Sequence, residues 1–104
     1  MFTLDDLARV IAERAQAGAD VSYTSSLIAK GAAHCAKKFG EEAVEFAIAA
    51  AAQDEAAVAA EAADVIYHLL VALRSRGVAL AEVIGELERR SARGGLEEKA
   101  ARRA

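Results

Sequence analysis

In 104 residues the chain carries 13 basic and 16 acidic side chains; 55% of its residues are apolar, and 28 residues are alanine. Such a length makes one domain spanning 1–104, and the net charge of −3 argues against nucleic acid as a partner. The single Cys35 excludes an internal disulfide and a cysteine zinc site, the uncharged run Val65 to Leu73 is only nine residues, and Asp5 and Asp6 stand where a secretory signal needs positive charge, so a cytoplasmic protein outside the membrane is expected.

The absence of proline and the abundance of alanine favour helix throughout. Thr3 is suited to cap a first helix, with Asp5 and Asp6 in its first turn; Leu4, Leu7, Val10 and Ile11 line one face and Gly18 ends it. The stretch GADVSYTSS reads as a loop, followed by a short helix over Leu27 to Lys30 that Gly31 interrupts. A long helix is predicted from Ala32 to Gln53, with Phe39, Ala43, Phe46 and Ala50 on one stripe. Asp54 then caps a helix running to Arg76 and stopped by Gly77. Its stripe is Val58, Val65, Leu69 and Ala72, flanked by Ile66, Leu70 and Leu73. A further helix, Leu80 to Arg90, shows Leu80, Val83, Ile84 and Leu87. The tail, 91–104, holds Gly94-Gly95 and a mixed-charge run, and reads equally as a mobile or a docked segment. The expected fold is all-α, a small antiparallel helical bundle of about four to five helices. An alanine-rich core buries little apolar area per residue, so a core shared with another subunit is a natural remedy.

Two acidic pairs carry the chemistry: Glu42-x-x-Glu45 and Glu61-x-x-Asp64, with Glu41 beside the first. A spacing of i,i+3 keeps both members of a pair on one side of a helix. The pairs centre ten residues before and nine after the turn near Asp54, so at about 1.5 Å per residue they lie level in an antiparallel hairpin. Glu42 falls in the apolar stripe between Phe39 and Phe46, and Glu61 between Val58 and Val65. A carboxylate in such a stripe needs compensation, and a hard divalent cation, Mg²⁺ or Mn²⁺, is the ordinary solution for all-oxygen donors. The competing reading is a solvated face held by i,i+4 pairs, Lys37–Glu41 and Lys38–Glu42. A di-iron carboxylate bundle would need Glu-x-x-His, but Val65 stands three residues before His68. His68, four residues after Asp64, is either a partner of that carboxylate or an interior histidine; His34 and Cys35 read as packing or surface.

The strings KKFGEEAVEFAIAA and EAADVIYHLLVAL, with SYTSSLIAKG upstream and RGVALAEVIGELERR and GGLEEKAARR downstream, closely resemble the phosphoribosyl-ATP pyrophosphohydrolase family. That family lies within the MazG-like all-α nucleoside triphosphate pyrophosphohydrolases, and the likeness runs from about Leu4 to Arg102. The resemblance implies a homodimer whose helices complete one bundle, and hydrolysis of phosphoribosyl-ATP to phosphoribosyl-AMP and pyrophosphate in histidine biosynthesis. It places the metal ligands on Glu42, Glu45, Glu61 and Asp64, with Glu41 or Glu45 as the catalytic base. A triphosphate also needs cations nearby: Lys37 and Lys38 first, Lys30 and Lys99 after them. Tyr23 is suited to contact a base or ribose, or simply to pack. The rival readings are a housekeeping pyrophosphohydrolase for another nucleotide and a non-enzymatic helical dimer.

Overall fold

The computed structural model describes residues 1–92 and 95–103, and among them every regular element is an α-helix. The order is α1 (Leu4–Ala15), α2 (Tyr23–Ala29), α3 (Ala32–Ala52), α4 (Glu55–Ser75), α5 (Leu80–Ser91) and α6 (Gly95–Arg103). The count among the described residues is thus six, one more than the largest number expected. Part of the 91–104 tail forms α6, in limited contact with α5, while Gly94 lies outside the described residues.

Local chemistry sets the boundaries. Thr3 and Asp6 close a reciprocal capping box at α1, which ends at Ala15 rather than at Gly18. Asp54 accepts from the Ala57 amide at 2.9 Å and starts α4. At the far end, Gly77 adopts φ 68°, and the Gly77 and Val78 amides donate back to the carbonyls of Arg74 and Leu73 at 3.1 and 3.0 Å. This left-handed stop satisfies carbonyls that the last turn would leave open.

The expected loop over GADVSYTSS is corrected in its second half. Ser22 caps α2 through the Ser25 amide at 3.1 Å, so Tyr23 to Ser26 are helical and the short helix begins four residues earlier than expected. Three side-chain hydrogen bonds hold this seven-residue helix in place. The Ser22 hydroxyl donates to the Arg14 carbonyl at 2.9 Å, the Thr24 and Tyr67 hydroxyls pair at 2.6 Å, and the Cys35 thiol donates to the Leu27 carbonyl at 3.3 Å. Ile11, Leu27, Cys35, Leu70 and Val71 form the core where α1 to α4 meet.

The antiparallel pair α3 and α4 is the most extensive helix contact in the chain. Its inner stripe on α3 runs through Cys35, Phe39, Glu42, Phe46 and Ala49, and on α4 through Val58, Glu61, Val65, His68 and Ala72. Two expected core positions are thereby corrected: Ala50 and Leu69 are exposed, and Ala49 and His68 take the interior. His68 lies one helical step from Leu69, so the turn of α4 that buries the imidazole leaves Leu69 on the outer flank. By length and composition α4 is also apolar enough to cross a bilayer, which the nine-residue uncharged run did not suggest; Glu61 and Asp64 lie within it and α1, α2 and α3 pack on it.

Candidate metal centre and its surroundings

Facing each other across the α3–α4 pair, Glu42, Glu45 and Glu61 bring carboxylate oxygens within 4.8 Å of one another. Glu42 and Glu61 are half-buried because each occupies the inner stripe of its helix, whereas Glu45 sits at the exposed rim with a carboxylate oxygen within 4.8 Å of both. Asp64, one turn further along α4, is exposed and lies outside this close group. Its charge nevertheless reaches Glu42 and Glu61.

The electrostatics are those of a site short of positive charge. Burial, then the close approach of the Glu45 carboxyl and the charge of Asp64, push the Glu42 carboxyl above the ordinary glutamate range, with Lys38 opposing. Burial and the same two acids push Glu61 upward as well. Glu61 Oε2 is buried without a hydrogen-bond partner among the described residues. A buried carboxylate oxygen left unpaired is costly, and a hard cation satisfies it. The donor set, carboxylate oxygens only, fits Mg²⁺ or Mn²⁺ and offers nothing to a soft metal.

The other expected site residues fall into two groups. Lys38 is half-buried and donates to Glu41 at 3.3 Å, an i,i+3 pair in place of the i,i+4 pairs of the solvated-face reading. That hydrogen bond raises the Lys38 ammonium above the usual lysine range. Glu41 is therefore drawn to the lysine rather than into the carboxylate trio. Lys30 and Lys37 are exposed, Lys99 is exposed on α6, and none of the three pairs with a carboxylate of the trio among the described residues. His68 is buried, with Tyr67 and Tyr23 edge-on at 5.0 and 6.3 Å. Burial, with Lys38 adding to it, pushes its imidazole below the usual histidine range, so it is an interior neutral histidine at neutral pH.

Sequence reasoning missed one group here. Tyr67 stacks on Tyr23 with ring centroids 6.4 Å apart and an interplanar angle of 13°. The signal available was its position: Tyr67 is three residues past Asp64, on that carboxylate's side of α4.

Fold and site together define an all-helical protein in which carboxylates from two antiparallel helices converge at one height, an arrangement suited to a hard divalent cation. Comparison with known sequences narrows the class. The profile of the family described as phosphoribosyl-ATP pyrophosphohydrolase matches residues 4–91, and the chain belongs to that family. It is 56% identical over 102 residues to phosphoribosyl-ATP pyrophosphatase 1 of Bradyrhizobium diazoefficiens, covering 98% of this chain and 96% of that protein. The phosphoribosyl-ATP pyrophosphatase of Methylobacterium nodulans is 57% identical over 102 residues, covering 98% and 95%. That of Azorhizobium caulinodans is 57% identical over 100 residues, covering 96% and 92%.

Proposed function

We propose that this chain hydrolyses phosphoribosyl-ATP between its α and β phosphates, releasing phosphoribosyl-AMP and pyrophosphate for histidine biosynthesis. The observation that carries the reading is the meeting of Glu42, Glu45 and Glu61 around the orphaned Glu61 Oε2, in a family whose relatives are named for this reaction. Glu42, Glu45 and Glu61, joined by Asp64, would hold Mg²⁺, with Mn²⁺ as an alternative. When bound, the ion neutralises phosphate charge and polarises the scissile phosphorus.

The chain's own residues do the rest. Glu41 is separate from the trio and fixed by Lys38, which suits it to accept the proton of the attacking water. Glu45, the other candidate base, shares its oxygens with Glu42 and Glu61 and acts chiefly in holding charge. As the water oxygen bonds to phosphorus, the bridging P–O bond breaks and pyrophosphate leaves with its electron pair. Lys38, at the rim of the site, offers an ammonium to the departing phosphates. Lys30, Lys37 and Lys99 would meet only those parts of the nucleotide that extend past this rim.

A homodimer is part of the same reading. Val44 and Ile48 on α3, Ile66 and Leu69 on α4, and Ile84 and Leu87 on α5 are exposed apolar side chains, and α5 buries no residue in this chain. A second copy would cover them. Action on a free nucleotide, without nucleic acid or membrane as partner, accords with a cytoplasmic enzyme. The direct test is a pyrophosphatase-coupled phosphate assay on phosphoribosyl-ATP with and without Mg²⁺. Turnover only with the ion supports the reading; turnover of other triphosphates but not phosphoribosyl-ATP contradicts it.

A further inference from the structure

We propose that the pocket between the end of α1 and the Tyr23–Tyr67 pair is a specificity subsite for the phosphoribosyl end of the substrate, with Arg14 receiving its phosphate. The assignment rests on the reading of phosphoribosyl-ATP as substrate. Such a nucleotide is anionic at two ends: a triphosphate, and a single phosphate on the added ribose. A carboxylate cluster with its cation serves only the first. The second needs a separate cationic group at a distance set by the nucleoside between them.

The pocket supplies that group in the right relation to the acids. Its volume is about 530 Å³, and it is lined by Arg14, Val21, Ser22, Tyr23, Thr24 and Tyr67, with Arg14 the cation among them. The size is ample for a sugar phosphate, since small-molecule sites commonly run about 300–1,000 Å³. Arg14 makes no ion pair or side-chain hydrogen bond among the described residues. A guanidinium is well matched to a phosphate because its fork donates two parallel hydrogen bonds.

The walls are fixed to the acidic site by the fold. Tyr67 lies on α4 three residues past Asp64 and six past Glu61, roughly 5 and 9 Å of rise along the helix. Its hydroxyl is tied to Thr24, and the Ser22 hydroxyl is tied to the Arg14 carbonyl, so α1, α2 and α4 hold the pocket as one unit. Tyr23 stacks on Tyr67, keeps more than half its surface exposed, and has its ring centroid 6.3 Å from that of His68, which stands four residues past Asp64 on α4. It therefore borders both the pocket and the triphosphate side. An aromatic face at that point is a platform for the sugar or base that links the two anionic ends.

The experiment compares R14Q, R14K, Y23A and Y23F with wild type on phosphoribosyl-ATP and Mg²⁺, and measures inhibition by phosphoribosyl-AMP and by AMP. Arg14 is exposed at a helix end, so R14Q should fold; circular dichroism checks this. The expected result for R14Q is a KM higher by about 10- to 100-fold with little change in kcat. Inhibition by phosphoribosyl-AMP weakens similarly while inhibition by AMP is unchanged. R14K recovers part of the loss, and Y23A raises KM more than does Y23F, which keeps the aromatic face. Unchanged KM in R14Q, or equal weakening of both inhibitors, overturns the subsite while leaving the catalytic reading intact. A wild-type protein inert towards phosphoribosyl-ATP overturns both.

Discussion

Replacing Glu61 by glutamine separates a carboxylate held for a cation from one held for structure. In metal-free buffer Glu61 adds charge to a cluster that already contains Glu42 and Glu45 within 4.8 Å, and its Oε2 is unpaired. The amide of E61Q removes that charge and can donate to Glu45, so the variant should melt above wild type in the presence of a chelator. Adding Mg²⁺ reverses the order. At about 100 times its Kd the ion stabilises the wild type by about 2.7 kcal/mol. For a domain of this size each kcal/mol moves Tm by about 4–8 °C, giving a rise of about 10–20 °C. A variant that binds about 100-fold more weakly gains only RT ln 2, about 0.4 kcal/mol, or about 2–3 °C. Differential scanning fluorimetry over a Mg²⁺ series reads both curves. A wild-type Tm indifferent to Mg²⁺, or an E61Q variant with the full rise, would refute the reasoning.

Further predictions concern pH, the base and the core. Glu42 and Glu61 both titrate above the ordinary glutamate value in the folded chain, so folding takes up protons there. Their favourable contribution without metal is complete below the unfolded value near 4.5 and is lost as pH rises through the raised folded values; urea midpoints in chelator, wild type minus the double variant E42Q/E61Q, should decline over that window, and a flat difference would contradict it. For K38A, loss of the ammonium that holds Glu41 should lower kcat and raise KM; unchanged kinetics would return Lys38 to the surface. Ile11 is 2% exposed in the core, so I11V should lower unfolding free energy by about 0.5–1.5 kcal/mol with the urea m-value unchanged, and no change would show that α1 packs more loosely than described.

Much of this was legible because the signals were local. Thr3, Asp54 and Gly77 each act within a few residues, and each marks a helix end. The convergence of Glu42, Glu45 and Glu61 followed from counting residues either side of one turn. What escaped was set by tertiary contact. Tyr23 to Ser26 have weak helical propensity, and they are helical because Ser22 caps them and Thr24 and Leu27 find buried partners on other helices. The stripe expected on α4 includes Leu69, but His68 takes the interior, edge-on to Tyr67 and Tyr23, a packing partnership between helices that no local pattern announces. Asp64 matches Glu61 in spacing, yet its position on the exposed flank of α4 keeps it outside the close group.

The central claim is that carboxylates from α3 and α4 share one divalent cation, and anomalous diffraction from crystals grown with Mn²⁺ tests it most directly. The account predicts a strong peak bounded by oxygens of Glu42, Glu45 and Glu61, at about 2.0–2.3 Å from each and within reach of Asp64. A map with no peak among these side chains at saturating Mn²⁺, or with its strongest peak elsewhere on the chain, would contradict it.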